Sequence, residues 1–397
     1  MATEIRPARP EEMAEFARVV SLSLAMPAER FHDLRPEWTL CAFEDGRLAT
    51  AYAAWPFTMR MNGTAMPVAA VTTVSTNPVD RRKGNLRAIM EADFRRRHEQ
   101  GEALAALYAS LAAIYQRYGY AVVTTHQRYA VEPRFLQFAQ PQLVSGTLRE
   151  LHPIELGPLV ELYRRFRELR TGYLHRGAPL WHAAVLAPPP PGHTLSAVLY
   201  EEHGEALGYV VYTSGPGAET ARVRGQALSV RDLVWLTPAA YGALWEHLAR
   251  FDLVGEVEWP SLPSDDPLPH LLLEPRMLHA ETRDGILARI IDVDRAFAGR
   301  GYRQEGTLRF AVSDQLCPWN EGCWELEAAP EGASVRRTRG EPAFSAPVST
   351  LAMLLFGQLS SIEAARMGRL ELYDERAARA GDLLLRTEYR PFCSDHF

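Results

Sequence analysis

One stretch limits the folds open to this chain more than any other. Val68 to Thr76 is a run rich in valine and threonine, and Asn77-Pro78-Val79-Asp80-Arg81-Arg82-Lys83-Gly84 follows it. Beyond Gly84, Leu86, Ile89, Met90 and Phe94 recur at helical spacing, with Arg87, Glu91 and Arg95 on the opposite face. The pattern predicts a strand, a basic glycine turn and an amphipathic helix. A helix N-terminus presents unpaired amides and a partial positive charge, so such a turn holds an anion, a pyrophosphate above all. Glycine lets the backbone approach the phosphate oxygens, and Arg81, Arg82 and Lys83 add charge. The stretch lacks a Gly-x-Gly-x-x-Gly fingerprint and a Gly-Lys-Ser/Thr ending, which argues against dinucleotides and nucleoside triphosphates.

The rest of the chain places this unit in an α/β context. Pro10 to Val20 reads as a helix, and Thr39 to Phe43 with Leu48 to Ala53 reads as a hairpin about Glu44-Asp45-Gly46. Ala103 to Ser110 reads as a strand, Ala112 to Tyr118 as a short helix, and Ala121 to Val131 as a further strand or pair. A second segment repeats the order of helix, hairpin, strand and helix: Leu156 to Arg170, Leu195 to Leu199 with Tyr209 to Thr213, Ala227 to Val234, and Ala239 to Phe251. Where the first copy has Arg81-Arg82-Lys83-Gly84-Asn85, the second has Leu236-Thr237-Pro238-Ala239-Ala240. This predicts a duplication whose second copy has lost the phosphate turn. From about Gly285, strands at Thr307 to Val312, Cys323 to Glu327 and Ser334 to Arg339 precede helices at Val348 to Gln358 and Ser360 to Met367, an α+β order. Three domains are expected, at 1–145, 146–284 and 285–397.

Composition excludes several classes of function. A net charge of -6 is wrong for a general nucleic-acid binder. No stretch approaches the roughly 20 apolar residues that span a bilayer, and the polar start resembles no signal or transit peptide, so a cytoplasmic protein with no membrane partner is expected. Cys41, Cys317, Cys323 and Cys393 complete no zinc pattern and are read as reduced, and no metal is expected. Among 43 basic residues Lys83 is the single lysine. Coding bias toward arginine accounts for the other positions, and Lys83 itself reads as a charge of the cofactor loop.

A second motif follows the first, Tyr115-Gln116-Arg117-Tyr118-Gly119-Tyr120 on the short helix after the next strand. Together, Arg81-x-x-Gly84-x-Leu86 and Tyr115-x-x-x-Gly119-Tyr120 resemble the acetyl-coenzyme A signature of the GCN5-related N-acetyltransferases (GNAT). The order of segments across the chain resembles their enhanced intracellular survival (Eis) family, as do Cys317-Pro318-Trp319-Asn320 and the aromatic residue at the end of the sequence. The resemblance implies tandem acetyltransferase domains, the second without cofactor, and a C-terminal domain like a sterol carrier protein.

For the chemistry, the resemblance implies acetyl-CoA as co-substrate. Val74, Ser75 and Thr76 match the strand that pairs with the pantetheine arm. Arg82, Lys83, Gly84, Asn85, Leu86 and Arg87 match the pyrophosphate turn, and Ser110 with Leu111 match the strand end beside the pantetheine. Tyr115 matches the general acid, and Phe397 the residue whose terminal carboxylate is the general base. One departure is Leu111-Ala112-Ala113, where relatives carry an acidic residue and glycines. The resemblance further implies aminoglycosides among the accepted amines, and a homohexamer. The acidic balance, with Asp395 near the end, favours a cationic small-molecule amine. Phe31 and Trp38, with Glu29 and Asp33, are candidates to line its pocket. Alternatives are a protein lysine or N-terminal acetyltransferase, and a lipid-binding scaffold with relic acetyltransferase domains.

Overall fold

The computed structural model describes residues 3–27, 33–141, 145–217 and 225–397. In chain order come β1 (Thr3–Arg6), α1 (Met13–Leu24), β2 (Cys41–Glu44), β3 (Arg47–Met61), β4 (Thr64–Thr76), α2 (Asn85–Gln100), β5 (Leu104–Leu107), α3 (Ala112–Gln116) and β6 (Ala121–Val122). The middle segment gives β7 (Thr125–Val131), β8 (Thr147–Glu150), α4 (Leu156–Arg167), α5 (Ala178–Ala183), β9 (Thr194–Glu202), β10 (Glu205–Pro216), β11 (Gln226–Trp235), α6 (Pro238–Ala249), β12 (Glu256–Pro263), α7 (Leu268–Leu271) and β13 (Glu281–Asp284). The last gives β14 (Leu287–Ile290), α8 (Val293–Ala298), β15 (Gly306–Ser313), β16 (Gly322–Ala329), β17 (Gly332–Arg337), β18 (Phe344–Pro347), α9 (Val348–Phe356), α10 (Ser361–Arg366), β19 (Glu371–Leu372) and α11 (Glu375–Leu385). No helix among the described residues is long and apolar enough to cross a membrane.

The chain gathers into two compact units, one of residues 1–124, 286–387 and Phe397, the other of 125–285 and 388–396. In the first, a mixed sheet runs β1-β2-β3-β4-β5-β14-β6. Its strands β2, β5 and β14 are buried along their whole length, which explains their largely apolar character. One face buries Phe16, Val19 and Val20 of α1 against Ala51 and Ala53. The other buries Ile89, Met90 and Phe94 of α2 against Ala69, Val71, Ala105 and Leu107, so the helical spacing seen in the sequence is the core face. The same unit holds a second sheet, β17-β16-β15-β18-β19, with a ring cluster of Phe297, Phe310 and Phe344.

The second unit is built on β13-β7-β12-β11-β10-β9-β8. Tyr241, Leu244, Trp245 and Leu248 of α6 fill one side of this sheet, and Leu159, Leu162, Tyr163 and Phe166 of α4 the other. The stretch Ala121 to Val131, expected as one strand or a pair, serves two sheets. β6 pairs with β14, whereas β7 pairs with β12 and β13. Ile286 fixes the change-over, since its carbonyl accepts from Val123 N and its amide donates to Thr124 Oγ1. β12 and α11 lie outside the expected elements; Pro260 and Pro263 disguise β12 as a loop.

Candidate active site

β4 and β5 pair in parallel only from Ala69 to Val71 against Ala105 to Leu107. β5 then ends while β4 continues to Thr76, bonded on its other side to β3. The two strands thus part, and the β5-facing edge of β4 from Thr72 onward is left outside that ladder. A backbone edge of this kind pairs with an extended ligand as a further strand would. A bulge sharpens the opening: the β3–β4 register shifts between Ala51 and Ala53, and Thr73 stands at φ 54. Positive φ is costly for a β-branched residue and is found where the surrounding structure enforces it. The hydroxyls of Thr73 and Ser75 are buried without a partner among the described residues.

The turn after β4 is held from below. Asp80, 1% exposed, takes a bidentate pair from Arg47 at 2.7 and 2.8 Å and a further bond from Lys83 Nζ at 2.8 Å. Lys83 also reaches buried Glu44 at 2.7 Å, and Asn85 Nδ2 donates to the other Glu44 oxygen at 2.8 Å. Arg47 outweighs the opposing effect of burial and, with Lys83, brings the Asp80 carboxyl down to about 2. Lys83 thus spends its charge on two carboxylates of its own chain. Arg81, Arg82 and Arg117 make no ion pair among the described residues, so the free positive charge is theirs. Gly84 caps α2 at φ 89, has no side chain to accept from the helix amides, and a Cβ there would meet nothing within 4 Å. The helix amides stay available.

These elements enclose a cavity of about 1020 Å³. Its lining includes Val74, Ser75, Thr76, Arg82, Lys83, Gly84, Asn85, Leu86, Arg87, Ser110, Leu111 and Tyr115, twelve of the thirteen sites expected from sequence. Tyr115 is buried, and burial first, then Tyr118, pushes its hydroxyl up to about 12. The Gly119 of the same motif has φ +83, and a Cβ on it would lie 3.0 Å from Arg289 Nε and 3.1 Å from Val348 Cγ1. Turn geometry and close approach both demand glycine there. Phe397 is absent from the cavity lining. Its ring meets Tyr108 edge-on at 5.4 Å and Phe57 at 5.9 Å, continuing a row through Trp55 to Trp38.

Residues 4–123 match the acetyltransferase (GNAT) domain family, residues 172–290 a second acetyltransferase (GNAT) domain family, and residues 293–394 the sterol carrier protein domain family. Over 99% of its length the chain is 30% identical to an uncharacterised N-acetyltransferase of Streptomyces avermitilis, 98% of which is covered. It is 33% identical to N-acetyltransferase Eis of Mycobacterium tuberculosis over 60% of this chain and 59% of that one. The crystal structure of Eis1 from Mycobacterium abscessus superposes over the whole of both chains with a TM-score of 0.84 at 28% identity. The chain belongs to the Eis family of N-acetyltransferases. Acetyltransferases of the GNAT type generally take their acetyl group from acetyl-CoA.

The Eis-type duplication explains itself in the second unit. β11 and β12 pair in parallel only from Ala227 to Ser229 against Glu256 to Glu258, so the same parting of strands recurs. Here, however, Thr237 Oγ1 accepts from Ala240 N at the start of α6, and Pro238 has no amide to offer. The start of this helix is thus capped by its own chain, unlike the start of α2 at Gly84.

One expectation about the acceptor side is revised for this Eis-type chain. The sequence suggests Asp395 as a charge facing the substrate. It is instead buried within the second unit, accepting from Arg176 Nε at 2.7 Å, with Asp232 on the other side of the guanidinium. Burial raises its carboxyl and Arg176 opposes that. Its charge is internally compensated, so it anchors the tail. Trp38 lies tilted on Trp55 at 5.0 Å, with the Arg35 guanidinium 4.9 Å from its ring, and Asp33 is exposed. Glu29 and Phe31 lie outside the described residues. Sequence reading missed Glu44 and Asp80, though an acidic residue immediately before three basic ones was the available signal.

Proposed function

We propose that this protein acetylates amines of cationic, polyamine-like small molecules, aminoglycosides among them, with acetyl-CoA as donor. The observation that carries the reading is the convergence on one cavity of Tyr115, the bulged edge of β4 and the guanidinium groups of Arg81, Arg82 and Arg117, which make no ion pair among the described residues. The residues suit the coenzyme: an open backbone edge and orphan hydroxyls for the pantetheine arm, Gly84 amides with Arg81 and Arg82 for the pyrophosphate. When bound, acetyl-CoA supplies the activated thioester carbonyl. In the transfer an N–C bond forms, the C–S bond breaks, and one proton passes from amine to departing sulfur. Tyr115 holds that proton throughout the neutral range, well above a thiol near ~8.5, and donates it as the bond breaks. Amides at Val74 to Thr76 stabilise the carbonyl oxygen as charge grows on it. Ser110 and Leu111 flank the arm, and Leu86, Asn85 and Arg87 open the helix over which the phosphates sit.

With Phe397 as the chain terminus, its carboxylate is the base that takes the amine proton. The half-buried ring between Tyr108 and Phe57 holds it in place. A terminal carboxylate near ~3.5 is a weak base, so its contribution is chiefly position and charge. The aromatic row from Trp38 to Phe397 and the acidic balance of the chain suit a cationic acceptor. In this reading residues 1–145 carry catalysis, 146–284 form the cofactor-free copy, 285–397 deliver the terminus, and the enzyme is a cytoplasmic homohexamer. Thiol release with acetyl-CoA and a panel of aminoglycosides and polyamines is the test, with turnover expected for several. Adding two residues after Phe397 is expected to abolish it, whereas undiminished turnover removes the terminal base and no turnover in the parent enzyme removes the reading.

A further inference from the structure

The cavity around Tyr115 is closed by two parts of the chain far from it in sequence. Ser313 to Leu316 and Pro347 to Ser349, from the C-terminal segment, line it together with the acetyltransferase elements. Both belong to the same compact unit as β4 and α2. The contact is close, since Val348 is one of the two groups that leave no room for a side chain at Gly119.

This wall is rigid before any ligand arrives. Asp314 is buried and accepts from Arg289 Nη2 at 2.7 and 2.8 Å, from the amides of Leu316 and Cys317 at 3.2 Å each, and from Asn320 Nδ2 at 2.9 Å. The carboxylate is thereby neutralised, so the loop presents no net negative charge to a phosphate. What it does present is polar: the side chains of Ser313, Gln315 and Ser349 line the cavity and make no hydrogen bond to a described residue. Arg117, which makes no ion pair among the described residues, lies on the same lining.

Resting on the acetyl-CoA reading above, we propose that the C-terminal domain is part of the coenzyme site, and that the phosphorylated adenosine end of acetyl-CoA lies against Ser313, Gln315 and Ser349. Coenzyme A is linear. With the thioester at Tyr115, the pantetheine along β4 and the pyrophosphate at the turn, the nucleotide is the part still needing a wall. The remaining lining, Arg117 to Gly119 with the C-terminal residues, offers hydroxyls, an amide and a guanidinium suited to ribose, base and phosphate. The consequence is specificity: the enzyme distinguishes coenzyme A from a bare phosphopantetheine arm through a domain that carries none of the acetyl chemistry.

Calorimetric titration of the full chain with coenzyme A and with 4′-phosphopantetheine, which lacks the nucleotide, decides it. The double variant Gln315→Ala with Ser349→Ala is expected to weaken coenzyme A about thirtyfold, the equivalent of about 2 kcal/mol for two lost hydrogen bonds, and to leave phosphopantetheine within about twofold. Ser349→Glu is expected to discriminate more strongly, through repulsion of phosphate, and serves as the independent variant should the first fail to fold. Unchanged binding of coenzyme A in folded variants, or equal losses for both ligands, overturns the composite site. A parent protein that binds neither ligand overturns the acetyl-CoA reading itself, with this inference on it.

Discussion

Tyr115, proposed above as the general acid, has surroundings that suit that role. The short α3 buries the phenol, and burial keeps it protonated up to about 12. The active form of a general acid is the protonated one, so its contribution is present at neutral pH and fades only as pH rises toward that value. Tyr115→Phe is therefore expected to lower kcat by about 100-fold or more, while coenzyme A affinity in calorimetry stays within about twofold. An equal loss in both would mark a structural phenol. The tyrosine and Gly119 were legible in the sequence because their spacing is local. Why Gly119 must be glycine was not, since Arg289 and Val348 arrive from positions far along the chain.

At the scale of elements, the basic turn divides into charges that hold it and charges that are free. Lys83 joins Glu44 and Asp80, two buried carboxylates from different elements, and Arg47 completes the network. Removing the ammonium leaves those carboxylates short of a partner. Lys83→Ala is thus expected to lower the melting temperature, and Arg82→Ala to leave it unchanged while weakening coenzyme A severalfold, read by thermal melts and calorimetry. The reverse pattern would make Lys83 the phosphate contact. Sequence alone marked the whole turn as basic. It did not separate these roles, because pairing depends on what folds beneath the turn, and β2 supplies Glu44 from some 40 residues upstream.

The whole molecule adds a pH dependence of its own. Asp266 is buried in the second unit, takes hydrogen bonds from Tyr241 at 2.8 and 2.9 Å and from Leu268 N at 3.1 Å, and burial outweighs these to hold it at about 7. An unfolded aspartate titrates near ~3.9. A folded carboxyl raised above that value contributes stability that is full below pH ~4 and is lost as pH rises through about 7. Asp266→Asn is expected to flatten the fall in melting temperature between pH 4 and 7 relative to the parent chain. An undiminished slope in the variant would assign the dependence to other groups.

The amino-acid order by itself determined the local elements: the β-branched strand, the basic glycine turn, the helix with a buried apolar face, and the loss of that turn in the second copy. Each of these is written within about 20 residues, where side-chain period and backbone preference act directly. Tertiary structure alone decided the rest. It placed β14 beside β5 and sent β7 to another sheet, although β6 and β7 are separated only by Val123 and Thr124. It buried Asp395 against Arg176 when the sequence suggested a charge facing substrate, and it brought Ser313 to Leu316 and Pro347 to Ser349 onto the cavity of Tyr115. The reason is common to all three. Strand pairing, compensation of a buried charge and closure of a cavity depend on which distant groups arrive at the same place, and no local pattern records that.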